Sequence, residues 1–471
     1  MKRVWLIVLT ALIWLTGYAQ KWDEYPDYDT YISFMQNIAQ QNEDICRLDT
    51  IGTSINGRLI LCMSITSQIK ADLPKPRFFY SAAMHGNELT GAVMLMRLID
   101  TLTANKEEFA ALLDNIQIYI NPFANPDGTW NNSTDGKIKN PVRYNANYVD
   151  LNRNYKDIAT KNNSDGKKTQ PETQAFMDYQ LQHRFHMSCN LHTGSEVFNY
   201  PFDKYTSSVK THADRQWFED LGKDFVAALQ DESGTYFKSV NSSGVIDGGD
   251  WYVIGGSRQD WSTYYAHCPE VTLELSDDYI PQADKLPLYW VRLHKSLFVF
   301  FDYLQQGFKG TVTDSVTGKQ LDGVKIEISD HDRDSSQVYT DSQGFYNRCI
   351  KQGTYSVKFS KDGYNDKVEE IAMTGGTETV NIELVPKNVS IDLAKHMQAE
   401  IYPVPAENYI KIKCDKEARF AIADIKAAER TDGVLHGGEN TVDISTLDAG
   451  VYTVMIYSKD GTLITKKIIK R

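Results

Sequence analysis

From residue 25 to about residue 304 the chain alternates short apolar runs of strand length with longer amphipathic runs, which restricts this part to helices packed on a central sheet. Four runs read as strands, at 78–80, 116–120, 188–191 and 271–275. Five read as helices, at 30–41, 88–102, 171–183, 214–230 and 286–304. Such brief central strands between helices predict an α/β domain with a twisted mixed sheet. The 41% hydrophobic and 24% charged residues supply ample material for its core, and no low-complexity tract argues for disorder.

After Gly307 the pattern changes. Apolar runs at 308–313, 324–328, 345–349, 354–359 and 379–384 are separated by turn clusters such as Asp341-Ser-Gln-Gly344 and Lys361-Asp-Gly363, a spacing that predicts a small all-β sandwich. A linker near 387–395 leads to a second β-rich unit with runs at 409–414, 420–425, 441–444 and 451–457 and a basic end over 466–471. Neither β unit holds a catalytic grouping, so the chemistry is expected before residue 307.

The N-terminus joins Lys2 and Arg3 to an apolar run over 4–15 and the small-residue pattern Gly17-Tyr18-Ala19, which predicts a secretory signal peptide over 1–19. The apolar run falls short of the roughly 20 residues that a membrane span needs, and no later segment approaches that length, so no integral membrane segment is expected in the mature chain. Loss of the two early cations leaves about 48 Lys and Arg against 62 Asp and Glu, a net charge near −14 that argues against nucleic acid as a partner. All six cysteines lie beyond the signal segment; their even number permits disulfides, but their scatter shows no metal-ligand spacing and leaves any pairing open.

Chemistry first shows at His85-Gly-Asn-Glu88, between a predicted strand and a predicted helix. An imidazole and a carboxylate three residues apart on such a turn can face one Zn²⁺ and leave a position open for water. The spacing recurs at His267-Cys-Pro-Glu270, where Pro269 and the following strand give no such turn, so the pattern alone does not decide. A third ligand should close a neighbouring strand, as His192 does after 188–191; a buried, hydrogen-bonded histidine is the alternative. Arg143 and Asp150-Leu-Asn-Arg153 add Arg and Asn side chains suited to gripping an anion, since guanidinium holds a carboxylate through two parallel hydrogen bonds. Glu274 lies on an apolar strand, where an acid is costly unless paired or functional.

The order of these motifs resembles the funnelin-type zinc metallocarboxypeptidases, and within them the regulatory branch that includes carboxypeptidases D, M, N and E. The matching pieces are His-Gly-Asn-Glu (85–88), Asn-Pro-Asp-Gly (125–128), Asp-Leu-Asn-Arg-Asn (150–154), Asn-Leu-His (190–192), Asn-Tyr-Pro-Phe-Asp (199–203), Trp-Tyr (251–252), Gln-Asp-Trp (259–261) and Glu-Val-Thr-Leu-Glu-Leu-Ser (270–276). The resemblance implies the zinc carboxypeptidase fold, a peptide hydrolase acting on peptide and protein C-termini, and one zinc ion held by His85, Glu88 and His192. It also implies that Asp150 orients His85, that Asn152, Arg153 and Tyr252 hold the terminal carboxylate, and that Arg143 stabilises the oxyanion. Glu274 would assist attack by zinc-bound water and return the proton to the leaving amine. Asp203, eleven positions after His192, and Gln259 would line the pocket for the terminal side chain and favour Lys or Arg; a solvated loop carboxylate is the alternative for Asp203. Two departures stand out: Gly255-Gly256 comes one place early, so the Tyr252 loop is expected to close differently, and Thr193 follows His192 where the branch often has Gly.

Residues 308–386 resemble the transthyretin-like, carboxypeptidase-regulatory domain. Residues 398–471, with Ile401-Tyr-Pro-Val-Pro405, Leu447-Asp-Ala-Gly-Val-Tyr452 and a Lys-rich end, resemble the C-terminal sorting domain of type IX secretion, with Val404 in place of the usual Asn. These resemblances divide the chain into a signal peptide (1–19), a catalytic domain (20–306), a regulatory-like β domain (307–387) and a linker with sorting domain (388–471). They imply the type IX machinery as a partner and a secreted or cell-surface location reached through the periplasm. A zinc acylamino-acid hydrolase or cell-wall-peptide hydrolase with the same metal motif is the enzyme alternative. From another class, an inactive surface-binding protein would keep the fold without the metal.

Overall fold

The computed structural model describes residues 21–387, 398–426, 428–459 and 463–471; the signal-peptide reading and most of the linker reading lie outside these. The described residues fall into two compact units, one within 1–387 and one within 388–471.

Eight strands build the sheet of the first unit: β1 (Cys46–Thr53), β2 (Leu59–Ile65), β3 (Arg77–Ala82), β4 (Gln117–Asn121), β5 (Met187–His192), β6 (Ser195–Tyr200), β7 (Val245–Asp247) and β8 (Glu270–Ser276). They run in the order β1-β2-β4-β3-β5-β8-β6-β7, with β4, β3, β5 and β8 parallel and β1, β2 and the β6/β8 pair antiparallel. The predicted mixed sheet is therefore present. Its central strands face helices on both sides, so alternate residues enter different layers. On β3, Phe78 and Tyr80 join the larger core while Phe79 joins the smaller one.

The helices are α1 (Tyr28–Gln41), α2 (Thr90–Ala104), α3 (Ala110–Asn115), α4 (Pro126–Thr129), α5 (Pro171–His183), α6 (Arg215–Ala227), α7 (Gly248–Trp251), α8 (Arg258–Tyr265) and α9 (Leu286–Leu304). On α9, Leu286, Tyr289, Trp290, Leu293, Leu297, Phe300, Phe301 and Leu304 are buried, a stripe at helical spacing that docks with α2 and α6 on one face of the sheet. Phe176 and Tyr179 of α5 and Trp261 of α8 cover the other. Asp27 caps α1 by accepting from the Thr30 amide at 2.7 Å.

In the same unit, residues 307–384 form two four-stranded sheets over one apolar core: β9 (Gly307–Asp314), β10 (Lys325–Ile328), β11 (Val338–Tyr339), β12 (Phe345–Cys349), β13 (Gly353–Ser360), β14 (Lys367–Met373), β15 (Thr377–Thr379) and β16 (Ile382–Leu384). A buried Arg348 ties this β domain to the first, its two terminal nitrogens 2.9 and 3.0 Å from the Asp214 carboxylate and one of them 2.7 Å from Asp332. The second unit has its own core and seven strands among its described residues, from Ala399–Tyr402 to Leu463–Lys470. All six cysteines are buried and free, so the disulfides that their even number permitted do not form.

Candidate metal centre and active site

The carboxyl ends of β3, β5 and β8 meet at one point, where open α/β sheets place ligands. Past β3 the chain turns through His85-Gly-Asn-Glu88 before α2 begins at Thr90, two residues later than the sequence pattern suggested. That turn lies against the end of α4, and a Cβ on Gly86 would come 2.1 Å from the carbonyl carbon of Gly128 and 2.4 Å from the Thr129 nitrogen. Only glycine permits this approach, which joins the first two matching motifs. His192 is the last residue of β5, and its register partner on β8 is Glu274.

His85 Nδ1 lies 2.8 Å from Glu88 Oε1, His192 Nδ1 lies 2.7 Å from Glu88 Oε2, and the two Nδ1 atoms are 3.1 Å apart. Tetrahedral ligands on zinc bonds of about 2.05 Å would stand about 3.3 Å apart, so a small outward movement seats an ion among these donors. Two imidazole nitrogens and a carboxylate turned toward one point suit a borderline-soft cation, and the chemistry of the donor set fits zinc. The far nitrogen of each ring is held: His85 Nε2 lies 3.1 Å from Asp150 Oδ1, and His192 Nε2 lies 2.6 Å from the Asn190 carboxamide. Partners of this kind orient metal-binding imidazoles.

Arg143 reaches the same centre, its Nη1 donating to Glu88 at 3.2 Å and its Nε to Asp150 Oδ2 at 2.9 Å. Glu274 is buried, and its Oε2 has no hydrogen-bond partner. Burial, and next the repulsion of Glu88, hold this carboxyl well above the usual range, with Arg143 opposing. For Glu88 burial pulls upward, but His85 and His192 win and hold it low.

Tyr252 stands half-exposed at the mouth. Burial first and then Glu274 push its hydroxyl up to about 12, with Arg153 and Arg143 pulling the other way. The early Gly255-Gly256 pair brings this loop onto the chain just past the 3-10 turn Leu151–Arg153: Gly256 O accepts from the Tyr155 amide at 3.1 Å. Asn152 Oδ1 accepts from the Arg258 amide at 2.9 Å.

Asp203 is buried rather than solvated, and its Oδ1 accepts from Gln259 Nε2 at 3.0 Å and from Asn199 Nδ2 at 3.4 Å. Gly248 closes over it, for a Cβ there would fall 2.2 Å from Asp203 Oδ1. Burial raises Asp203, with Asn199 and Arg153 among the groups pulling it back; burial and then Asp203 itself push Asp260 well above the carboxylate range, with the Asp203 and Lys204 amides opposing. The second His-x-x-Glu spacing diverges, with His267 Nδ1 lying 2.9 Å from Ser335 O while Glu270 pairs with Arg258.

The sequence reading passed over Asn190, Ser81 and Arg258. A usable signal existed in β5, where Ser188, Asn190 and His192 alternate with Met187, Cys189 and Leu191, placing Asn190 on the face of His192.

The zinc carboxypeptidase family profile matches residues 31–295, a carboxypeptidase regulatory-like domain matches 307–385, and a secretion system C-terminal sorting domain matches 400–471. The chain is 31% identical over 375 residues to carboxypeptidase D of Mus musculus, covering 77% of this chain and only 27% of that protein's length. It is 30% identical over 389 residues to carboxypeptidase M of Mus musculus, covering 80% of this chain and 86% of that one. The crystal structure of a carboxypeptidase A from Helicoverpa armigera shares the fold, with a TM-score of 0.51 and 19% identity over 59% of this chain and 73% of that chain. The chain belongs to the zinc carboxypeptidase family, with a regulatory-like β domain and a secretion sorting domain following the catalytic fold.

Proposed function

We propose that this protein hydrolyses the C-terminal peptide bond of peptides and proteins, releasing Lys or Arg, with one zinc ion held by His85, Glu88 and His192. The observation that carries the reading is the meeting of these three donors beside the unpartnered, buried carboxylate of Glu274. Zinc bound there supplies Lewis acidity, polarising a carbonyl and making water acidic near neutral pH. Glu274 accepts the proton of the attacking water at Oε2 and hands it to the leaving amine, a task suited to a carboxylate whose proton affinity burial has raised. Arg143, already beside Glu88 and Asp150, turns its guanidinium to the developing oxyanion. Arg153, Asn152 and Tyr252 hold the free C-terminal carboxylate, which restricts cleavage to the chain end, and Asp150 orients His85. Asp203, with Gln259 beside it, pairs with the terminal ammonium or guanidinium.

The chain divides functionally at the boundaries read from the sequence: signal peptide 1–19, catalytic domain 20–306, regulatory-like domain 307–387, and linker with sorting domain 388–471. The sorting-domain match supports export through the periplasm by the type IX machinery to the surface or the medium. No helix among the described residues is long and apolar enough to cross a membrane.

Elemental analysis of the purified protein tests the metal reading. About one zinc per chain is expected, falling sharply in His192→Ala; a metal-free active protein would overturn it.

A further inference from the structure

Strand alternation collects polar side chains on the sheet face beneath α8. β5 contributes Ser188, Asn190 and His192, β8 contributes Glu270, Thr272 and Glu274, and β3 contributes Ser81, the register partner of Asn190. Into this face enters Arg258, the first residue of α8 and fully buried. Its Nη2 lies 3.2 Å from Glu270 Oε2, and its guanidinium carbon sits 5.1 and 5.0 Å from the ring centres of Phe79 and Phe176. Glu270 is equally buried and also accepts from Ser188 Oγ at 2.7 Å.

The other arm of the guanidinium continues toward the metal centre. Arg258 Nη1 donates to Ser81 Oγ; Ser81 Oγ lies 3.3 Å from Asn190 Oδ1; and the Asn190 carboxamide lies 2.6 Å from His192 Nε2. We propose that Arg258 is a positioning residue for His192, acting through Ser81 and Asn190, with Glu270 as the counter-ion that keeps its guanidinium in the interior. The inference rests on the reading of His192 as a zinc ligand.

Donor and acceptor capacity supports it. A carboxamide can present either its oxygen or its nitrogen to Nε2, and a hydroxyl can donate or accept, so Asn190 and Ser81 alone would leave the His192 ring loosely set. A guanidinium only donates. With zinc on His192 Nδ1 the ring would carry its hydrogen on Nε2, so Asn190 would meet it with its carboxamide oxygen and turn its NH2 toward Ser81 Oγ. The guanidinium, by donating to the same Ser81 oxygen, keeps that hydroxyl in place and fixes the plane in which the carboxamide meets the imidazole. A buried ion pair is not needed for stability as such, because apolar replacements often serve as well. Here the pair stands at the origin of a hydrogen-bonded path that ends on a metal-facing ring. The same residue also holds the site through its backbone, where its amide fixes Asn152 Oδ1 at 2.9 Å.

A double-mutant cycle on zinc affinity tests the proposal, with free zinc set by a competing chelator and folding followed by thermal unfolding of the metal-free protein. Ser81→Ala, which leaves the ion pair intact, should weaken zinc binding by about 10-fold, the lower end of what outer partners of metal-binding histidines contribute. Arg258→Met combined with Glu270→Gln should weaken it similarly, and adding Ser81→Ala to that pair should cost less than about twofold more. Arg258→Lys keeps the charge but loses the fork, and should weaken zinc binding with little change in unfolding temperature. Zinc affinity unchanged in Ser81→Ala, or losses that multiply in the combined variant, would overturn the path. His192→Ala separates the two levels: if it binds zinc normally, the ligand reading itself fails; if it binds poorly while Ser81→Ala binds normally, only the positioning role fails. Should the Arg258→Met, Glu270→Gln variant not fold, Ser81→Ala and Arg258→Lys decide the matter.

Discussion

Two carboxylates in one cleft are set to different tasks by their surroundings. Glu88 is held low by two imidazoles, while Glu274, the register partner of His192 on β8, has an oxygen with no hydrogen-bond partner. Glu274→Gln keeps the shape and removes the proton acceptor, so zinc content should stay near wild type while turnover falls by about 10² to 10⁴, as single-turnover assays would show. Near-normal turnover would mean that another group is the base. The role proposed for Asp203 is in the side-chain pocket rather than in the chemistry. A charge-assisted hydrogen bond there contributes on the order of 2 to 3 kcal/mol, so Asp203→Ala should lower kcat/KM for Lys- and Arg-ended peptides by roughly 30- to 150-fold and leave Leu- and Phe-ended ones little changed. A uniform loss for all substrates would instead mark a structural role.

Among the elements, the turn through His85-Gly-Asn-Glu88 leaves no room for a side chain at Gly86. Gly86→Ala drives a methyl into the backbone of α4, which cannot yield as a side chain would. Such overpacking should cost at least about 2 kcal/mol in urea unfolding and weaken zinc binding, because His85 and Glu88 flank the displaced residue. The elements legible in the sequence were those with one dominant signal: the apolar stripe of α9, the Pro-initiated α5, and the buried central strands β3, β4, β5 and β8. The strands β1, β2, β6 and β7 were passed over, β1 and β7 being the edges of the sheet. β1 mixes exposed and buried positions around Arg47 and Asp49, and β7 is three residues long, so neither shows a clean period. The three donors proposed for the metal, His85, Glu88 and His192, were legible because each stands in a short motif at a strand end or turn. The path from Arg258 to His192 was not, because it joins three strands and a helix whose contacts arise only from the register of β3, β5 and β8.

At the scale of the whole molecule, buried histidines couple stability to pH. His212, packed between Phe202 and Phe218, has its pKa lowered to about 4, chiefly by burial, with Asp214 opposing. Because the unfolded chain binds this proton near pH 6.5, the stability from keeping the ring neutral is complete above that pH and is lost as pH falls from about 6.5 toward 4. The loss should amount to about 3 kcal/mol for this group, and His212→Asn should flatten the acid limb of a stability curve by a comparable amount. His183, also lowered to about 4 by burial, adds in the same direction. The Arg348 bridge to Asp214 predicts that a chain cut before residue 307 loses stability, since Asp214 would be left without its partner. A chain ending at Pro386 should stay folded and active, because the sorting unit has its own core. The central claim is tested most directly by a set of short peptides that differ only in their last residue, assayed for release of that residue with and without a chelator. The account predicts rapid release of terminal Lys and Arg, slow release of Leu and Phe, loss of activity on chelation and its return with Zn²⁺. Equal release of Arg and Phe would contradict the role of Asp203, and release that ignores the chelator, or cleavage inside the peptide, would contradict the zinc carboxypeptidase mechanism.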